Sequence, residues 1–78
     1  MMWVLSGFGA DESLCSEHPI SKEQLVKVRE VVPPAPDDSW YVHSYRVPHG
    51  ALHAMGQILQ CQPLDRDVEY FVDGYAAG

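Results

Sequence analysis

His49 and His53 stand four residues apart, the separation at which two imidazoles on one helix face can grip the same metal ion. Two ligands do not make a site. A zinc-protease helix carries its general-base glutamate directly after the first histidine, and this chain has Gly50 there. Cys61 could join the pair only if the helix end curled back. The two histidines therefore read as surface residues, and neither a metal nor any other cofactor is expected. Cys15 and Cys61 lie far apart in sequence, and neither sits in a flanking pattern that would bring it a base. Both read as buried, reduced thiols, one at a strand centre and one at a helix end. No catalytic residue is assigned, and no enzymatic activity is expected.

The third constellation is acidic. Asp65, Asp67, Glu69 and Asp73 place four carboxylates within nine residues, without the further oxygen ligands at set positions that a calcium loop requires. On a strand, Glu69, Phe71, Asp73 and Tyr75 share one face. Positions two apart then repeat every ~6–7 Å, close to the phosphate spacing along one nucleic-acid strand. Such a row suits a protein whose own site is lined with Arg and Lys. The same pattern also describes a solvated sheet face whose charges deter aggregation. Asp65, Asp67, Glu69, Phe71, Asp73 and Tyr75 are the candidate partner-binding residues. Trp3, Trp40, Tyr41 and Tyr45 serve equally well as an aromatic hot spot or as core.

The elements that must position these groups follow from the local patterns. Met2 to Phe8 is aromatic and β-branched with apolar residues on both faces, as in a central strand. A turn over Gly9 to Glu12 leads into a more polar strand, Ser13 to His18, completing a hairpin. Ser21 and Gln24 form a capping box, Ile20 and Leu25 a hydrophobic staple, and Leu25, Val28 and Val32 an apolar stripe. Pro33 and Pro34 then stop the helix, which spans Lys22 to Val31. A stiff connector, Pro33 to Ser39, precedes Trp40 to Tyr45, which is either a strand or an ordered segment laid over the core. A second helix runs from Pro48 to about Gln60, weakened by Gly50 and Gly56. A turn over Gln62 to Asp67 and a last strand, Val68 to Tyr75, end the chain's regular structure. The class is α+β: a small antiparallel or mixed sheet of three to four strands, in the order β-β-α-(β)-α-β, with two helices packed on one face.

Seventy-eight residues make one domain, 1–78, with a single core and no room for a deep cavity. Eleven Asp and Glu against five Lys and Arg leave a net charge of -6, which repels phosphates; there is no basic run, so direct nucleic-acid binding is excluded. A basic protein is the complementary partner, although acidity also serves plain solubility. No apolar run approaches the ~18 residues of a membrane span, and Met1 to Leu5 lacks the basic stretch of a signal peptide. The expected compartment is the cytoplasm, with no membrane partner.

Three stretches carry a family resemblance. They are Trp3-Val4-Leu5-Ser6-Gly7-Phe8, then Ser44-Tyr45-Arg46-Val47 leading into a proline-initiated helix, and Glu69-Tyr70-Phe71-Val72-Asp73-Gly74-Tyr75. With them the chain resembles a family of small bacterial proteins that are similar to the immunity proteins of polymorphic toxins. Its helix opening, Val47-Pro48-His49-Gly50, departs from the more usual Thr-Pro-Glu-Gln style. The resemblance implies an inhibitor that binds a co-produced toxin and occludes its active site or substrate surface, and it brings no catalytic residues. The rival expectation is a housekeeping interaction module or a homodimer that pairs through the last strand.

Overall fold

The computed structural model describes residues 2–38, 40–61 and 64–75. Ser39 of the connector and Gln62 and Pro63 of the last turn lie outside the described residues. The strands are β1 (Met2–Phe8), β2 (Leu14–Ile20), β3 (Tyr45–Arg46) and β4 (Glu69–Tyr75), and the helices are α1 (Lys22–Val31) and α2 (Leu52–Leu59). They form one antiparallel sheet in the order β2-β1-β4-β3. The class is α+β, and both helices pack on the same face. Trp3, Leu5, Ile20, Tyr70 and Val72 of the sheet join Leu25 and Val28 of α1 and Leu52 and Met55 of α2 in one core. Among the described residues no helix is long and apolar enough to cross a membrane.

β1 takes the central place its composition demands, between β2 and β4. Its turn into β2 is closed by Glu12 N–H donating to the Gly9 carbonyl at 2.9 Å, while the Asp11 carboxylate accepts from Ser13 N–H at 3.2 Å and O–H at 2.7 Å. The pairing shifts so that Gly7 faces Ser16 but Phe8 faces Leu14, and Cys15 is the extra residue of a bulge. This corrects the expectation of a buried Cys15. The bulge lies on an edge strand and leaves the residue exposed, its thiol donating to the Gly7 carbonyl at 3.4 Å. Cys61 is half-buried, and burial pushes its thiol pKa up. β2 also runs two residues beyond the expected His18. An edge strand tolerates Pro19, whose missing N–H would break a central ladder.

The capping box of α1 forms as the sequence dictates. Gln24 N–H donates to Ser21 Oγ at 3.1 Å and Ser21 N–H to Gln24 Oε1 at 2.8 Å. The second helix is shorter than the expected Pro48 to Gln60. His49–Ala51 forms a 3-10 turn instead, where Pro48 offers no side-chain cap and Gly50 has low helical propensity. α2 ends with Gln60 left-handed at φ 54 and Cys61 N–H donating to the Gly56 carbonyl at 3.0 Å.

Between the helices, Trp40 to Ser44 is an ordered segment over the core, and only Tyr45 and Arg46 pair as strand, opposite Val72 and Phe71. Asp38 shapes this segment. Its carboxylate accepts from Val42 N–H at 2.8 Å, His43 N–H at 2.9 Å and the Tyr45 hydroxyl at 2.8 Å. Tyr41, left-handed at φ 54 and fully buried, donates its hydroxyl to the Val32 carbonyl, and its own carbonyl accepts the Gly74 N–H. Burial pushes the Tyr41 phenol up to about 12.

Gly74 is required by this close approach. A Cβ there would stand 2.6 Å from the Trp40 carbonyl oxygen and 2.7 Å from that of Tyr41. Backbone cannot swing aside as a side chain can. Gly74→Ala is therefore expected to destabilise by about 1–3 kcal/mol, read as a lower denaturation midpoint at unchanged m-value. An unchanged midpoint would mean that the 40–41 segment does not lie on β4.

Asp38 generates a pH prediction. Burial acts to raise its pKa. The hydrogen bonds from His43, Tyr45 and Val42 prevail and hold it below the ordinary 3.8. A carboxyl with a depressed folded-state pKa contributes stability that is present above its unfolded pKa and is lost as pH falls through the folded value. Acid titration followed by denaturant midpoint should show a loss below pH ~4 that is smaller in Asp38→Asn. An identical acid profile in the two proteins would remove Asp38 from this role.

Candidate protein-binding face

Alternation along β4 sorts its residues cleanly. Tyr70 and Val72 point into the core, whereas Glu69, Phe71, Asp73 and Tyr75 share the opposite face, which neither helix covers. β1 contributes Met2, Val4, Ser6 and Phe8 to that face, standing opposite Tyr75, Asp73, Phe71 and Glu69 in turn. Val4 and Ser6 are buried in its middle, yet neither belongs to the core under the helices. Phe8 and Phe71 meet edge to face, ring centroids 5.8 Å apart at 73°. Met2 and Tyr75, 47% and 46% exposed, continue the apolar strip to the end of the pair.

The carboxylates differ in their occupancy. Glu69 lies 3.5 Å from the guanidinium of Arg46, delivered by β3, and both side chains are well exposed. Such a pair contributes little to stability. Asp73 is half-buried opposite Val4, and among the described residues no hydrogen-bond donor or cation accompanies it. Asp65 and Asp67 sit apart, exposed in the turn before β4. Asp65 holds that turn, its carboxylate accepting Asp67 N–H at 2.8 Å while its own N–H donates to the Tyr70 hydroxyl at 3.1 Å. Thus four of the six candidate residues lie on one face, and the other two belong to its approach.

Sequence reasoning missed the floor of this face, Val4, Ser6 and Phe8, although the alternation of β1 carried the signal. It also missed Arg46, whose partner depends on a long-range pairing of two residues. Trp3 and Tyr41 prove to be core and Tyr45 half-buried, while Trp40 is 47% exposed. His49 and His53 are both exposed, and no group of three potential metal ligands occurs among the described residues.

Pairing through the last strand needs correction. β4 is not an edge: β1 lines one side, and the other is lined by Tyr41, β3 and Val47, whose N–H donates to the Tyr70 carbonyl at 2.8 Å. The long free edge is β2, where Glu17 sets a charge and Pro19 withholds a donor, both deterrents to strand addition. Comparison with known proteins adds no likeness, since no family model, no curated protein and no solved structure matches the chain.

With no partner among the described residues, Asp73 is expected to contribute little to folding. Asp73→Asn should leave unfolding free energy within about 0.5 kcal/mol of the parent in urea titration. A loss well beyond that would mean Asp73 holds the sheet together and is not held in reserve for a partner.

Proposed function

We propose that this protein is an immunity-type inhibitor that acts in the cytoplasm. It binds a cognate toxin domain by the uncovered sheet face and occludes that domain's active site or substrate surface. The observation that carries the reading is the composition of this face: an apolar floor, aromatic flanks and, at Asp73, a half-buried carboxylate with no partner among the described residues. Antiparallel sheets often leave one face to solvent, but that face is then normally polar. An apolar strip rimmed by charge is the composition of an interface.

The charge of -6 selects a basic partner. A toxin that acts on nucleic acid has such a surface, because it must neutralise phosphates. Asp73 then stands in for a phosphate, Phe71 and Tyr75 supply apolar contact, and the Glu69 and Arg46 pair borders the site. The mechanism is steric and electrostatic competition, with no reaction of its own. The resemblance of the three sequence stretches to immunity proteins supports the same reading.

Co-expression with a toxin-like domain encoded in a neighbouring reading frame should rescue growth. Association with that domain should approach ~10⁸ M⁻¹s⁻¹ at low salt and slow as salt is added, while dissociation changes less. Asp73→Asn is expected to weaken binding by about 2 kcal/mol or more through faster dissociation, because it removes the partner's counter-charge. Glu69→Gln should act mainly on association, Arg46 having already answered that charge. Tyr75→Ala should cost about 2 kcal/mol if the ring fills a partner pocket. Kinetics indifferent to salt and to all three substitutions would place the interface elsewhere.

A further inference from the structure

The end of the molecule where β1 begins carries a second apolar surface. Met2, Trp3, Pro19, Ile20, Lys22 and Trp40 line a groove of about 630 Å³, open to solvent along its length. Trp40 is the exposed wall, and it is held from several sides. Its ring stacks on Trp3 with centroids 6.0 Å apart, its carbonyl accepts the Trp3 indole N–H at 2.9 Å, and the Arg29 guanidinium lies 4.8 Å from its ring centre. An exposed indole fixed in this way loses little freedom on binding, the property of an interface anchor.

Lys22 gives the groove its chemistry. It is the first residue of α1 and is exposed at the groove wall. Among the described residues no carboxylate lies within ion-pair distance of it. Its ammonium is the one cationic group among the residues that line the groove. We infer that this groove is a docking site for a peptide segment of a protein partner, in which a large apolar side chain seats against Trp40 and a neighbouring Asp or Glu meets Lys22. A small free ligand is disfavoured by shape, because an open groove cannot enclose most of its surface. A segment held on a larger body needs no such enclosure.

The groove adjoins the uncovered sheet face and shares Met2 with it, but its anchors Trp40 and Lys22 lie outside that face, so the assignment does not rest on the toxin-binding reading. Both tryptophans of the chain line the groove, so intrinsic fluorescence reports its occupancy directly. The test is to pan a random peptide library displayed on phage against the folded protein, with Lys22→Gln and Trp40→Ala as counter-selections, and to titrate the synthesised winners by fluorescence.

Recovered peptides are expected to carry an aromatic or large aliphatic residue beside Asp or Glu, and to shift the tryptophan emission saturably. Lys22→Gln, an exposed change expected to leave the fold intact, should weaken them by about tenfold, the effect of one charged contact. Peptides that bind the two variants as well as the parent, peptides without acidic residues, or no enrichment at all would overturn the assignment. So would a concentration-dependent dimer in sedimentation that Lys22→Gln dissolves, since the occupant would then be a second copy of the chain.

Discussion

The segment between the helices crosses β4 at Gly74 with no room for a side chain, and much else depends on that crossing. It seats Tyr41 in the core, where a phenol buries a large apolar area and still needs a partner for its hydroxyl, which the carbonyl of Val32, at the end of α1, supplies. The left-handed backbone at Tyr41 costs about 1–2 kcal/mol for a residue with a Cβ. Burial of its ring and the bonds gathered by Asp38 offset that cost. Two short helices leave a gap over the β4 side of the sheet, and a proline-stiffened connector closes it without a third helix.

A chain of this length cannot cover both faces of a four-stranded sheet. The helices, the connector and one sheet face already use most of the large apolar residues, and the other face keeps Val4, Phe8 and Phe71, the exposed Met2 and Tyr75, and Leu14 and Pro19 of β2. These are too few for a second core and too many for a face meant only for water. The charges set among them, and Glu17 and Pro19 on the free edge, keep such a surface from pairing with itself.

Local signals are legible in the sequence wherever the physics is local. The capping box, the staple, the proline stop and the period-two alternation of β4 each act within a few residues, and each yields its element at the expected place. Alternation alone sorts the faces of β4, so Glu69, Phe71, Asp73 and Tyr75 group together on their spacing. What stays hidden is non-local. The bulge at Cys15 depends on how β2 registers against β1, and the two-residue strand at Tyr45 exists only because β4 offers it a ladder. Arg46 reads as an unremarkable cation until that ladder sets it beside Glu69. The groove at Trp40 is assembled from three separate stretches, none of which carries a pattern for it.

The same connector that closes the core also sets the charge pattern of the uncovered face. Asp38 binds the Tyr45 hydroxyl, Tyr45 pairs with Val72, and the next residue, Arg46, is thereby placed on the far side of the sheet against Glu69. Alternation forces this: when Tyr45 points into the core, its neighbour must point out. One carboxylate of the face is answered by a cation and the other left open through a contact made on the opposite side of the sheet. A partner of the kind proposed would meet one negative position unpaired among the described residues, at Asp73, flanked by Phe71 and Tyr75, with the Glu69 and Arg46 pair at its border. Such asymmetry favours one orientation of a basic partner over its reverse, because the reversed partner would bring its cation against Arg46.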